Sequence, residues 1–382
     1  MSEKIAAFLT EKTIKKDTVL DLPCTAIKGC TAEIAKTLET KGYKKIGDLI
    51  KIKNLDDVTG KKSELDIVVI EKMVTAARII DDFAKGKKAT DKKIVVVGLD
   101  NAGKTSIIQT LLDPKTDKKD AKPTQGLAYE NVDVFGYDLS VWDFGGQESY
   151  RQQYLTDKEK SFGYTDIFIF VFDISEKKRF KEAVDYLKSI VDIYKFLGES
   201  PISIICLHKS DLISPKELAK VKSGLLEDLS SVLGELRFST YATSIFDNNS
   251  IFTAFSSGFR EISPVKSIIE KILDNFQNKI KSEYIAFFNA TGICVAEVGE
   301  GKNKDLSKNF SFNVILGEEL EVFPDEANKI ILALNDNKYC ILERIKSKKE
   351  KFYLSWVSSE TPEILSKEPL IDEMKPWIEN FF

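Results

Sequence analysis

The chain has 382 residues but only one histidine, five cysteines and no long apolar run. No stretch approaches the roughly 20 apolar residues that a membrane-spanning helix needs, and the N-terminus has no signal-like apolar core. The cysteines lack metal-ligand spacing, and their odd number leaves one unpaired. Such thiols suit a reducing compartment, so we expect a cytoplasmic protein.

Lipid attachment and whole-chain nucleic-acid binding are also disfavoured. Ser2 follows Met1 where N-myristoylation needs glycine, and the terminal residues 379–382 do not form a prenylation box. We therefore expect no direct membrane anchor. The net charge of −4 gives no whole-chain argument for a nucleic-acid partner.

A phosphate-binding pattern lies near the first third of the chain. Residues 98–105 read Gly-Leu-Asp-Asn-Ala-Gly-Lys-Thr, between an apolar run at 94–97 and an apolar-periodic stretch at 106–112. A glycine-rich turn between a strand and a helix points backbone N–H groups at phosphate oxygens. Lys104 then reaches the β and γ phosphates, and Thr105 offers a hydroxyl to Mg²⁺. The predicted nucleotide-binding residues here are Asp100, Asn101, Ala102, Gly103, Lys104, Thr105 and Ser106.

This pattern alone leaves the nucleotide open, because kinases, ATPases and GTPases share it. The segment Trp-Asp-Phe-Gly-Gly-Gln at 142–147 ends a predicted strand that starts near Tyr137. Asp143 is placed to hold Mg²⁺ through water, and Gly146 to bring its N–H to a γ-phosphate. Gln147 is the candidate catalytic residue, which orients the attacking water.

Two further segments complete the predicted site. Pro-Thr-Gln-Gly at 123–126 places Thr124 where it can close over Mg²⁺ and the γ-phosphate, in a charged loop that a ligand would order.

Residues 206–211 end an apolar run with His208-Lys209-Ser210-Asp211, which is similar to the NKxD guanine signature. The Asp211 carboxylate can accept two hydrogen bonds from guanine, which adenine cannot offer. We interpret His208 as a loop-tethering residue.

Together these segments resemble Arf-type small GTPases in residues 98–147, and the Rag/Gtr GTPases of nutrient signalling in residues 208–257. The second resemblance depends on residues 208–211, 242–247 and 254–257, and it implies that the backbone N–H of Ser244 or Ile245, in the Thr-Ser-Ile segment at 243–245, meets the guanine O6. The fold implied is an α/β P-loop GTPase domain over residues 93–262, with a mostly parallel six-stranded sheet and helices on both faces. Mg²⁺ and GTP or GDP are the implied cofactor and ligand.

Residues 19–86 read as short helices, after an N-terminal segment (1–18) and before a linker (87–92). Thr31 is predicted to cap a helix that runs to about Lys41, and further helices are predicted at 44–51 and 65–83. The pattern resembles a helix-hairpin-helix domain, which implies that Gly29 approaches a DNA phosphate. Residues 1–92 carry 19 Lys and Arg against 15 Asp and Glu, interspersed, so a protein-interaction or regulatory bundle is favoured over DNA binding.

Residues 263–382 are predicted to form an α+β domain. The expected order is a helix from Pro264, a hairpin at 284–298, a helix near 313–322, strands at 329–334, 339–344 and 351–357, and a last helix at about 362–381. This order resembles a roadblock or longin-like domain, which implies a homo- or heterodimer. A sheet-and-helix domain packed on its own GTPase domain remains the alternative.

The combined prediction is a three-domain GTP-hydrolysing switch in signalling or trafficking-type regulation, which acts through dimerisation and effector binding. Neither the P-loop nor residues 114–125 contain arginine, so we expect slow hydrolysis that depends on a GTPase-activating protein, with exchange factors as further partners. Arg151 is expected to point to a surface or an effector. The alternatives are a pseudo-GTPase scaffold and a DNA-associated GTPase.

Overall fold

The computed structural model describes most of the chain between residues 9 and 359, in the ranges 9–10, 16–28, 30–52, 58, 70, 73–74, 76–78, 80–81, 91–114, 124–134, 137–263, 266–318, 328–334, 337–346 and 351–359. In these ranges a helical N-terminal region is followed by a six-stranded and then a five-stranded sheet. None of the helices described is both long and apolar enough to cross a membrane.

The N-terminal region contains two short α-helices, α1 (Ala32–Thr40) and α2 (Ile46–Leu49), and 3₁₀ turns at Lys16–Asp21 and Cys24–Ala26. The Thr31 hydroxyl accepts the N–H of Ile34 at 3.2 Å, so the predicted cap of α1 is confirmed. All described residues between 70 and 81 are helical, which agrees with the predicted helix at 65–83. Gly29 and the rest of that helix lie outside the described residues.

The first sheet has the strand order β2-β3-β1-β4-β5-β6. Only β2 is antiparallel to its neighbour; the other pairings are parallel. Its strands are β1 (Asp91–Gly98), β2 (Leu127–Val134), β3 (Tyr137–Phe144), β4 (Ile167–Asp173), β5 (Ile202–His208) and β6 (Phe238–Thr243). The predicted mostly parallel six-stranded sheet is therefore confirmed.

Helices cover both faces of this sheet. Consecutive β1 residues are fully buried, Ile94 and Val96 in one core and Val95 and Val97 in the other, as expected for a parallel strand covered on both sides. The helices are α3 (Lys104–Leu112), α4 (Glu148–Thr156), α5 (Lys158–Phe162), α6 (Phe180–Leu197), α7 (Pro215–Leu233) and α8 (Asn248–Ile262), with 3₁₀ turns at Lys177–Arg179 and Ser210–Leu212.

The second sheet is antiparallel, with the order β8-β7-β11-β10-β9. Its elements are α9 (Lys266–Ile280), β7 (Tyr284–Asn289), β8 (Cys294–Gly299), α10 (Lys304–Glu318), β9 (Lys329–Ala333), β10 (Tyr339–Lys346) and β11 (Lys351–Ser358). The predicted hairpin and strands are confirmed. The predicted start of α10 near Asn313 is wrong, because the helix begins at Lys304. Pro264 and residues 362–381 lie outside the described residues.

Helix α8 joins the two sheets. One side of α8 packs on the six-stranded sheet, and Phe252 meets Phe312 of α10 with ring centroids 4.9 Å apart. The Ser256 hydroxyl accepts the buried N–H of Cys294 at 3.0 Å, and Arg260 pairs with Glu297 at 3.1 Å. The two sheets therefore share one continuous hydrophobic core.

Candidate functional site

The glycine-rich turn connects β1 to α3 at the carboxyl end of the parallel strands. Gly103 caps α3 in the left-handed region, at φ +92° and ψ 17°. A Cβ built on Gly103 would lie 2.6 Å from Nε2 of His208, so both the backbone conformation and the space require glycine. The turn thus brings backbone N–H groups and the positive end of α3 into one hollow.

Lys104 lies inside this hollow. Its side chain is buried, and Nζ donates to the carbonyl oxygen of Leu99 at 2.7 Å. Burial lowers the pKa of Lys104 to about 8, although the Asp143 carboxylate opposes the shift. The site therefore holds one buried cation against the turn, where phosphate oxygens are expected.

Three oxygen atoms from separate segments meet beside Lys104. The hydroxyls of Thr105 and Thr124 lie 2.6 Å apart, and both donate to Oδ2 of Asp143, at 2.6 and 2.7 Å. The pairing of β1 with β3 puts Asp143 opposite Val96, near the start of the turn. The three residues predicted to hold Mg²⁺ are thus brought together, from positions up to 38 residues apart in the chain.

The donor set fits Mg²⁺, which prefers oxygen ligands and keeps several waters. Asp143 is buried, and its second oxygen, Oδ1, has no hydrogen-bond partner among the described residues. A buried carboxylate oxygen without a donor costs free energy unless a cation or ordered water satisfies it. Groups of three or more His, Cys, Asp or Glu side chains suited to another metal are absent from the described part of the chain.

The segment after Asp143 lies directly against the glycine-rich turn. A Cβ added to Gly146 would overlap the backbone of Leu99 and Asp100, so only glycine permits this approach. Gln147 follows as the exposed N-cap residue of α4, in extended backbone conformation. The side chain of Gln147 is therefore accessible to solvent, one residue after the glycine that contacts the turn.

The Thr124 segment is hydrogen-bonded to the Gly146 segment. The N–H of Gly145 donates to the carbonyl oxygen of Gly126 at 2.8 Å, and the Tyr154 hydroxyl donates to the same oxygen at 2.7 Å. Tyr154 belongs to α4. A shift of either loop therefore requires the other loop or α4 to adjust. Pro123, which precedes Thr124, lies outside the described residues.

The loops after β5 and β6 form the other end of the hollow. His208 is buried, its Nδ1 lies 3.0 Å from the Thr243 hydroxyl, and its ring packs against Gly103. Burial, with a contribution from Lys209, lowers the pKa of His208 to about 4, so the ring is neutral at pH 7. His208 joins three loops, as a tethering residue does.

The residues predicted to bind a base lie beside His208. The Ser244 hydroxyl donates to Oδ1 of Asp211 at 2.5 Å, and Lys209 Nζ donates to Asp173 at 2.6 Å. The N–H of Ser244 donates to the Ser250 hydroxyl at 3.1 Å, so using this N–H for a ligand would require that bond to break. Ile245, the other predicted residue, is the next in the same loop.

Charged residues that local motifs did not reveal surround Asp100. The expectation that Arg151 points to a surface is wrong, because it is 8 % exposed and pairs with Glu182 at 2.6 Å. Arg179 donates to the Asp100 carboxylate at 2.6 Å. Arg179 lies 79 residues from Asp100, so only the tertiary fold brings the pair together. The turn, the carboxylate at the end of β3 and the two base-side loops define a P-loop nucleotide-binding domain.

Comparison with known proteins gives the family. A family model described as the Gtr1/RagA G protein conserved region matches residues 93–316, more than half of the chain. ADP-ribosylation factor-like protein 3 of Chlamydomonas reinhardtii is 34 % identical over 146 residues, which are 38 % of this chain and 77 % of that protein. The chain therefore belongs to the Gtr1/RagA family of G proteins, and it is a small GTPase of the Arf/Rag type.

Similarity to solved structures covers part of the chain. The Arl6 BBS3 small GTPase from Trypanosoma brucei, with the bound nucleotide analogue GppNp, matches at 23 % identity and a TM-score of 0.39. The match covers 45 % of this chain and 98 % of that one.

Proposed function

We propose that the protein is a Mg²⁺-dependent switch that hydrolyses GTP to GDP and phosphate. The observation that carries the proposal is the convergence of the Thr105, Thr124 and Asp143 oxygens within 2.7 Å of one another. Thr105 follows the phosphate-binding turn, and Asp143 lies near the end of β3. Thr124 lies in the charged loop that a ligand is predicted to order. These three residues therefore connect the phosphates to the Thr124 loop and to the segment after Asp143, which are the two segments expected to change between the GTP and GDP states.

The roles of the residues follow from their positions. The N–H groups of residues 100–106 and the Lys104 ammonium bind phosphate oxygens, and Thr105, Thr124 and, through water, Asp143 would hold Mg²⁺. When bound, the ion neutralises charge on the β and γ phosphate oxygens. Gly146 offers its N–H to the γ-phosphate, so Thr124 and Gly146 take up their GTP positions together.

Guanine selectivity is assigned to the loops beyond His208. The Asp211 carboxylate accepts from guanine N1–H and the 2-amino group, and the Ser244 hydroxyl orients this carboxylate by donating to Oδ1. The backbone N–H of Ser244 or Ile245 donates to O6. His208 holds the base loops on Gly103, so base binding and phosphate binding use one connected frame.

Hydrolysis is assigned to Gln147, which orients the attacking water. Because both described arginines near the turn, Arg151 and Arg179, are held in ion pairs, we propose a slow unaided rate and an activating protein that supplies positive charge. Exchange factors complete the cycle.

Gln147→Leu tests this proposal in single-turnover GTP hydrolysis. We expect a rate lower by about 10²-fold, the cost of a misplaced nucleophile, with GTP still bound. Gln153→Leu is the matched control, since Gln153 is also exposed on α4 and lies outside the site. Equal rates in wild type and Gln147→Leu would contradict a catalytic Gln147 and favour a structural use of the nucleotide.

The flanking regions are proposed to serve assembly. The order α9-β7-β8-α10-β9-β10-β11 agrees with a roadblock or longin-like domain at 263–382, through which we propose a homo- or heterodimer. We assign residues 93–262 to the GTPase domain and 19–86 to a helix-hairpin-helix-like module for protein contacts. The five thiols, none in a disulfide, support a cytoplasmic location. Sedimentation of the full chain at several concentrations tests the dimer.

A further inference from the structure

The phosphate-binding turn contains an acidic residue, Asp100, which forms an ion pair with Arg179, an arginine distant in sequence. Arg179, in the turn between β4 and α6, donates from Nη2 to Oδ1 of Asp100 at 2.6 Å and from Nη1 to the carbonyl oxygen of Asp100 at 3.2 Å. One guanidinium therefore holds both the side chain and the backbone of the same P-loop residue. Planar forks of this kind fix geometry better than a single ion pair.

The Asp100–Arg179 ion pair offsets the repulsion between the Asp100 carboxylate and a bound phosphate. A carboxylate in a loop that binds phosphate repels its ligand, and the repulsion grows with the charge of that ligand. Arg179 neutralises Asp100, and hydrogen bonding to Arg179 holds the pKa of the Asp100 carboxyl below its usual value. The carboxylate is thus charged and paired at neutral pH.

Arg179 is itself held by a second carboxylate. Glu182, in the first turn of α6, accepts from Nε of Arg179 at 3.2 Å and from Nη2 of Arg151 at 2.6 Å. The Arg151 guanidinium also lies over the Tyr186 ring, 5.2 Å from its centroid. Charges of alternating sign therefore run from the P-loop through α6 to α4, the helix that Gln147 caps.

We propose that Arg179 is a positioning residue for nucleotide binding: it neutralises Asp100 and fixes the P-loop backbone, and through Glu182 it ties that loop to α4. This inference rests on the proposed nucleotide site. It assigns to Arg179 a selective effect on the more negative ligand, GTP, which an arginine that only stabilises the fold would not have.

The test compares release rates of fluorescent GTP and GDP from the full chain with Mg²⁺. Arg179→Gln leaves Asp100 uncompensated, so GTP release should accelerate about tenfold and GDP release about threefold, the scale of one unpaired charge near solvent. In an Asp100→Asn background the same substitution should accelerate GTP release clearly less than about tenfold and no more than GDP release, because the repelling charge is gone and only the contacts of Arg179 with the Asp100 carbonyl oxygen and Glu182 are lost. Arg179→Lys should slow GTP release part of the way back to the wild-type rate, because the positive charge is kept and the planar fork is lost.

Arg237→Gln is the matched control, because it removes one positive charge from an exposed loop before β6. Circular dichroism and urea unfolding of each variant separate loss of fold from loss of positioning. Equal acceleration of GTP and GDP release, or an undiminished effect of Arg179→Gln in the Asp100→Asn background, would overturn the inference. A wild-type protein that binds neither nucleotide would overturn the proposed function as well.

Discussion

The single histidine makes one pH prediction unusually direct. His208 is 2 % exposed, and burial lowers its pKa from 6.5 to about 4. The unfolded chain therefore binds more protons than the folded chain between these values, so stability is complete above pH 6.5 and is lost as the pH falls toward 4. Between pH 7.5 and pH 5.0 the two pKa values correspond to a loss of about 2 kcal/mol in the free energy of unfolding.

Two measurements check this value. Urea unfolding of wild type and His208→Asn at pH 7.5 and 5.0 gives the histidine contribution as a difference, in which the effects of the carboxylates cancel. Because the chain has no other histidine, its Cε1 proton gives one resonance in an NMR titration, which we expect to inflect near pH 4. An inflection near 6.5, or the same pH dependence in His208→Asn, would refute the burial of a neutral ring against Gly103.

Three further predictions concern the base site, the P-loop contact and the junction of the two sheets. Asp211→Asn replaces an acceptor with a donor, so we expect calorimetry to show weaker GTP binding and a gain of xanthosine triphosphate binding; unchanged preference would contradict the base assignment. Gly146→Ala places a Cβ on the Leu99 backbone, so GTP affinity should fall at least about tenfold with little change for GDP, as read from fluorescent-nucleotide titrations; equal losses for both would argue against a γ-phosphate contact. Glu297→Gln removes the carboxylate charge that Arg260 and Lys308 share at the sheet junction, at 3.1 and 2.5 Å, and urea unfolding should show a loss of about 3 kcal/mol; a loss below about 1 kcal/mol would mean that solvent reaches this charge cluster.

The parts of the fold that follow local rules could be predicted from sequence. The P-loop motif lies between an apolar strand and a periodic helix, so β1 and α3 were both indicated. For helix α10 the apolar periodicity predicts a start near Asn313 instead of Lys304, because the residues from Lys304 to Ser311 are mostly polar. The buried hydroxyls of Ser307 and Ser311 are satisfied by Ser355 of β11, at 2.9 and 2.6 Å. This helix start depends on a tertiary contact that periodicity does not reveal.

In the candidate site, too, some residues could be predicted from local sequence and others depend on the tertiary fold. Thr105 and Asp143 belong to segments with recognisable spacing, and the structure brings them together with Thr124. The Asp100–Arg179–Glu182–Arg151 chain has no local signature, because it needs the turn after β4 to lie against the P-loop. Charged residues are mostly exposed in folded proteins, so the sequence alone predicts surface positions for them. Only the fold shows that Arg151 is buried and that Arg179 pairs with the P-loop.

The most direct test of the GTP-switch account is calorimetric titration of the full chain with GTP and ATP, each with Mg²⁺ and with a chelator. The account predicts GTP binding at least about 10²-fold tighter than ATP binding, the discrimination expected from a site that pairs the base edge, and a large loss of GTP affinity when Mg²⁺ is removed. Equal binding of the two nucleotides would contradict the role of Asp211. GTP affinity that is indifferent to Mg²⁺ would contradict the site built by Thr105, Thr124 and Asp143.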